Sequence, residues 1–186
     1  MNIYDAYPET VTVDGEVMRV NFGYDRILKT IDVQGMEDLT PADKLDLQCK
    51  LLFDDPPETI DKQVKAITAV FDLFPKSEES NGERYIDFHQ DAKIIRSGFM
   101  RIGIDLTKNK IHFFQFLELL GDLPTDTALM RVIDIRRRPV PKMTESNREY
   151  VKELMEAKAR CAIKMSDEER REQFTRKLKQ SSILRG

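Results

Sequence analysis

Apolar residues in this chain fall first into alternation and then into helical spacing. Thr10–Val20 reads T-V-T-V-D-G-E-V-M-R-V. It alternates about Asp14-Gly15, a pair suited to the two positive-φ positions of a type I′ turn, so the segment predicts a β-hairpin. Next, Ile27, Leu28 and Ile31 fit a short helix that Gly35 closes. Thr40 then supplies a helix cap, with Pro41 at the first position and Asp43 in the first turn. Leu45, Leu51, Leu52 and Phe53 form the apolar side of that helix, and Pro56-Pro57 breaks it. Ile60, Val64, Ile67, Phe71 and Phe74 then step 4-3-4-3, the spacing of one helical stripe, until Pro75 stops it.

K-S-E-E-S-N-G-E-R follows as a polar, glycine-containing linker and marks a boundary. Beyond it, Asp87 with Gln90 reads as a capping box, and Phe88, Ala92, Ile95, Phe99 and Ile102 repeat the 4-3-4-3 stripe up to Gly103. Thr107 is the expected cap of the next helix. There Ile111, Phe113, Phe114, Phe116, Leu117, Leu119 and Leu120 are apolar nearly all round, so cover is needed on several sides from this chain or a neighbour. Gly121 ends it. Pro124 is expected to start another helix, with Ala128, Leu129, Val132, Ile133 and Ile135 as its apolar set, before R-R-R-P-V-P-K breaks the pattern. Ser146 and Glu149 read as a capping box for a helix with Val151, Leu154, Lys158, Cys161 and Met165 on one stripe. Ser166 and Glu169 restart it. The last segment has only Phe174 and Leu178 to bury and is expected to be mobile or to dock on a partner. Together these signals predict a mainly α fold, a multi-helix orthogonal bundle with a small N-terminal β-hairpin. Its expected parts are residues 1–76, a linker at 77–84, a helical core at 85–165 and a helical tail at 166–186.

The 186 residues are 40% apolar and 34% charged, a balance that suits folded helices with solvated faces. No run of 18 apolar residues occurs, so no membrane span is expected, and M-N-I-Y-D-A-Y-P-E-T has no signal-peptide pattern. Cys49 and Cys161 are isolated, as free thiols in a reducing compartment would be. The net charge of −3 conceals an asymmetry. Residues 1–90 carry 9 Lys and Arg against 19 Asp and Glu, and residues 91–186 carry 21 against 14. The two halves can attract each other, or copies can stack head to tail. Two differently solvated regions would give the same numbers.

Candidate chemistry is sparse. His89 and His112 are the only histidines; one sits in a helix first turn and the other among phenylalanines, and both read as structural. Asp87, His89 and Asp91 lie close in sequence, but only the two acids share a helix face, and capping accounts for them without a metal. Neither G-x-x-x-x-G-K-[ST] nor G-x-G-x-x-G occurs, and Asp54-Asp55 reads as solvated helix-leading acids. No catalytic, cofactor or metal site is expected. Arg131, Arg136, Arg137, Arg138 and Lys142 form a possible electrostatic patch. It fits phosphate contacts, a helix C-terminal dipole, or the acidic half of another copy. It lacks interleaved aromatics, so nucleic acid is the weaker reading. Phe113, Phe114, Phe116, Leu117 and Leu120 are the candidate protein-interaction residues.

The central segment resembles a family of small proteins from the tail-gene region of long-tailed bacteriophages of Gram-positive hosts. The pattern runs through D-F-H-Q-D-A-K-I-I from Asp87, F-M-R-I-G-I-D-L from Phe99, I-H-F-F-Q-F-L-E-L-L from Ile111, I-D-I-R-R-R from Ile133 and P-K at Pro141. Phe113 and Phe114 stand where the family often has Trp. The resemblance implies a tail assembly chaperone: a helical, often oligomeric protein of the host cytoplasm that coats the tape measure protein, attracts tail tube subunits and leaves before the virion is complete. The alternatives are a head–tail connector that stays in the particle and a nucleic-acid-associated phage protein. An enzyme is the least expected class.

Overall fold

The computed structural model of the chain describes residues 6–74 and 84–164. The described residues form strands β1 (Thr10–Val13) and β2 (Glu16–Arg19), then helices α1 (Tyr24–Gln34), α2 (Pro41–Leu52), α3 (Ile60–Asp72), α4 (Ala92–Arg101), α5 (Phe113–Gly121), α6 (Ala128–Arg137) and α7 (Arg148–Cys161). A 3-10 turn at Glu145–Asn147 precedes α7. The fold is therefore mainly α with one small antiparallel hairpin, as the spacing predicts. No described helix is long and apolar enough to cross a membrane. The expected 166–186 tail, and all but Arg84 of the 77–84 linker, lie outside the described residues.

The chain divides into two compact units, Met1–Glu78 with Ile104–Asp122 and Glu79–Gly103 with Leu123–Gly186. This grouping differs from a continuous 85–165 core, because α5 belongs with the N-terminal elements. The reason is local pairing. Phe113 N–H donates to the Phe22 carbonyl at 2.7 Å and Tyr24 N–H to the Ile111 carbonyl at 3.1 Å, which bridges the chain before α1 to the chain before α5. Apolar contact between α1 and α5 extends the attachment.

In the first unit, the hairpin register Val11↔Met18 and Val13↔Glu16 follows from the turn, where Asp14 and Gly15 have φ of 50° and 82°. Both positive φ values are the type I′ requirement that Asp-Gly satisfies. Val11, Val13 and Met18 point inward, and β1 packs on α3. The Thr40 hydroxyl accepts from Asp43 N–H while the Asp43 carboxylate accepts from Thr40 N–H, closing a full capping box at α2. The α2 interior holds more polar atoms than its leucines suggest. Buried Gln48 donates to the Thr30 carbonyl at 2.9 Å, and Gln63 of α3 donates to the Pro57 carbonyl at 2.9 Å.

The α3 stripe is shifted from its expected position. Ile60 and Val64 are 63% and 48% exposed, and the buried face is Gln63, Ala66, Ile67 and Val70. Those four keep the i, i+3, i+4, i+7 spacing. The uncharged Gln63 and small Ala66 allow close approach to α2, and they are the residue types that an apolar-only count omits.

In the second unit, α6 packs against α4 and α7, and the core is Ile95, Phe99, Leu123, Leu129, Val151 and Leu154. Gly103 has φ 82° and stops the chain after α4, as expected. Three predicted helix starts move, the first of them at α5 in the first unit. Thr107 hydrogen-bonds Asp105 in a turn, and His112 caps α5 instead. Pro124 opens a turn, and Thr127 caps α6 by accepting from Met130 N–H. Ser146 lies inside the 3-10 turn, where the Asn147 side chain accepts from Thr144 N–H.

These faces make a paired stability prediction. Val70→Ala removes two fully buried methyl groups and is expected to cost about 2 kcal/mol. Val64→Ser on the open side is expected to change stability by no more than about 0.5 kcal/mol. Urea unfolding followed by helix circular dichroism measures both, and equal losses would return the buried face to the predicted stripe.

Candidate functional site

Two groups of residues carried the functional expectation, the aromatic helix and the basic run, and their surroundings differ. The α5 helix begins at His112, whose ring is fixed from both sides. Nδ1 accepts from Phe114 N–H at 3.2 Å, and Nε2 donates to the Pro8 carbonyl at 2.9 Å. Both ring nitrogens are thus committed to backbone groups. Tyr7 stacks on the imidazole at 4.9 Å and donates its hydroxyl to Glu118 at 2.6 Å. That hydrogen bond to a carboxylate holds the Tyr7 phenol above its ordinary pKa, with burial and the Glu118 charge adding to it.

Phe113, Phe116 and Leu120 are sealed within the first unit. Phe113 meets Phe74 at 5.1 Å, and Phe116 stacks on Tyr24 at 5.0 Å. Phe114 and Leu117 are half-buried. Of the five candidate interaction residues, those two alone keep accessible side chains, so any docking through α5 falls on them.

The basic run is split by the fold. Arg136 is interior: its side chain is 7% exposed and that of its partner Asp91 is 4% exposed. The two form a bidentate pair, with Nη1 to Oδ2 at 2.5 Å and Nη2 to Oδ1 at 2.9 Å. Arg136 also donates to the Cys161 carbonyl at 2.6 Å and the Tyr85 carbonyl at 2.8 Å. It is therefore not part of a surface patch, which corrects the expectation for this residue. Arg137 lies 5.6 Å over the Tyr85 ring, and Arg138 pairs with Asp134. Arg131, Arg137, Arg138 and Lys142 remain exposed. One signal for Arg136 was present in the sequence. It continues the face of Leu129 and Val132 at i, i+3, i+7, so it sits on the inward side of α6.

The acids near His89 are likewise occupied. Asp87 accepts from His89 N–H at 2.9 Å and Gln90 N–H at 2.7 Å, the first half of the expected capping box. The reciprocal half comes from Asp91, which accepts from Asp87 N–H at 2.9 Å. Gln90 reaches away, donating to the Ala162 carbonyl and accepting from Lys164 N–H, both at 2.9 Å. Burial alone pushes the Asp87 carboxyl up. The backbone donors of Gln90 and His89, with nearby Arg84, outweigh burial and hold it below the usual carboxylate range. Among the described residues no group of three His, Cys, Asp or Glu side chains is arranged to hold a metal.

A feature the sequence did not single out lies on the outer side of α6. Thr125, Met130, Arg131, Ile133, Asp134 and Arg137 line an open groove of about 570 Å³. Met130 and Ile133, at i and i+3, give the groove its apolar floor, with Arg131, Asp134 and Arg137 at the rim. The half-buried state of Met130 and Ile133 leaves them within reach of a partner.

These arrangements define a mainly helical protein whose buried ion pair serves structure, with half-buried apolar side chains on α6 and the outer side of α5 in addition to exposed ones such as Val17, Ile60, Val64, Met100 and Met155 elsewhere. Residues 3–163 match the model of the Bacteriophage Gp15 protein family, and the chain belongs to that family. In comparisons with curated proteins and with solved structures, nothing matches.

The ion pair makes the sharpest prediction. Arg136→Ala leaves Asp91 buried without its partner and is expected to cost about 3–5 kcal/mol, whereas Arg131→Ala and Lys142→Ala stay within about 0.5 kcal/mol. Denaturant midpoints measured on the three variants check this. The thiols give a second. Burial, with the Asp46 charge, pushes Cys49 up to about 11, so at pH 8 it is protonated as well as inaccessible. Half-exposed Cys161 is expected to take iodoacetamide in the native state and Cys49 only after unfolding, as read by peptide mass spectrometry.

Proposed function

We propose that this phage protein is a non-enzymatic tail assembly chaperone. In this reading it binds the tape measure protein in the host cytoplasm, recruits tail tube subunits and is absent from the finished virion. Membership of a bacteriophage family supports the setting. The observation that carries the chemistry is the α6 groove. A tape measure protein is long and helical, and an amphipathic helix lays its apolar side into such a groove through anchors at i, i+3, i+4 and i+7. Met130 at the groove, with Met100, Met143 and Met155 exposed on the same unit, supplies unbranched side chains that adapt to many apolar shapes. A client read along its whole length needs adaptable contacts more than one tight fit. A short groove also gives the modest affinity that later displacement requires. Phe114 and Leu117 of α5 offer a second apolar contact on the other unit.

The expected result is co-purification with fragments of the phage tape measure protein. Met130→Glu with Ile133→Glu places two carboxylates in the groove and is expected to weaken that capture roughly tenfold or more while leaving the helix signal intact. Mass spectrometry of purified virions is expected to find none of the protein. Retention in particles at a ring multiple, with no tape measure capture, would replace this reading with that of a head–tail connector.

A further inference from the structure

The division of charge follows the fold more sharply than it follows the halves of the sequence. The described residues of the first unit carry 9 Lys and Arg against 17 Asp and Glu, and those of the second carry 14 against 8. Part of the second unit's positive charge stands beside a groove of about 460 Å³, lined by Tyr85, Arg137, Arg138, Pro139, Val140 and Lys158. Its character is mixed. Val140 is 45% exposed and Pro139 is exposed, so part of the lining is apolar, while Arg137 and Arg138 stand at its edge. Lys158 holds the Arg136 carbonyl at 2.6 Å and Arg137 covers the Tyr85 ring, so the wall is anchored before any partner arrives.

We propose that this groove receives the α1–α2 loop of a second copy, joining copies head to tail. That loop has the matching chemistry. Met36 is 44% exposed and is followed by exposed Glu37 and Asp38. An apolar plug with two adjacent carboxylates suits a cationic groove with an apolar lining, and it sits on the acidic unit. The contact is heterologous, because groove and loop belong to different surfaces, so each copy keeps one free acceptor and one free donor. Nucleic acid fits less well. The single aromatic of the lining already carries Arg137 over its ring, so it is not set up to stack on a base. Arg137 lines both this groove and the α6 groove, so the variant of the α1–α2 loop, which touches neither groove, is the one that separates this inference from the client reading.

Sedimentation velocity on the full chain tests it with two variants, Arg137→Glu with Arg138→Glu and Glu37→Lys with Asp38→Lys. At low salt the wild type is expected to form species that grow with concentration. Each variant alone is expected to self-associate roughly tenfold more weakly. Mixed at equal amounts, the two are expected to regain association towards the wild-type level, because the native loop of one meets the native groove of the other and the two reversed surfaces are again opposite in charge. Raising ionic strength to about 0.5 M should dissociate the wild-type species, since exposed charges are screened within a few ångströms there. A wild type that stays monomeric at every concentration would overturn the proposal. So would variants that associate like wild type, or loss of duplex DNA binding in the arginine variant with self-association unchanged. The loop variant keeps the test decisive if the arginine variant folds poorly.

Discussion

The second unit depends on one buried interaction, the pair between Arg136 and Asp91. Removing two charges from water costs several kcal/mol each, and the pair is tolerable only because nearly every polar atom on it is used. The guanidinium meets both Asp91 oxygens, the Tyr85 carbonyl and the Cys161 carbonyl. Asp91 also accepts from Asp87 N–H, and Lys158 covers the Arg136 carbonyl. One arginine therefore ties the segment before α4, the end of α6 and the end of α7. Among the described residues no buried side-chain nitrogen or oxygen is left without a partner. A hydrophobic replacement would fill the space and leave the carbonyls of Tyr85 and Cys161 without this donor. The pair thus fixes an arrangement as much as it adds stability.

The same logic of shared backbone groups governs the first unit. The His112 ring caps α5 with one nitrogen and holds the Pro8 carbonyl with the other. Two backbone hydrogen bonds then join the chain on either side of Gly23 to that on either side of His112. In each unit a side chain with several hydrogen-bonding atoms at a helix end gathers strands of chain that are far apart in sequence. The segment from Ile104 to Asp122 reaches its own unit by this route, although the helices before and after it belong to the other.

Much of the architecture was legible because period and punctuation are local. Asp14-Gly15 specifies a turn within four residues, Thr40-Pro41 a helix start, and Gly103 a stop, and all three hold. The errors arose where a residue's role is decided at long range. Ile60 and Val64 are as apolar as Ile67, but the packing of α2 selects the Gln63 side of α3. Thr107, Pro124 and Ser146 are competent helix starters; His112 and Thr127 reached the first-turn amides in place of the first two, and Ser146 was drawn into the 3-10 turn before α7. His112 was legible as structural, but its role as a cap was not, because histidine is an uncommon one. The basic run shows the limit most clearly. Three adjacent arginines are chemically identical, and only the helical phase of Leu129 and Val132 separates the one that turns inward.

That inward turn changes what the surface can do. With Arg136 committed to the interior, the exposed cations of the run do not form a continuous stripe, and Arg138 is already neutralised in part by Asp134. Binding to a polyphosphate draws its strength from releasing counterions along several free cations, and few are aligned here for that. What α6 presents instead is an apolar strip with alternating Arg131, Asp134 and Arg137 at its edge. A rim of both signs keeps such a strip wetted while no client is present, and it favours a partner helix that has both charges on its flanks. The physical balance on this helix is that of a reversible protein contact, one in which burial supplies affinity and mixed charge limits it.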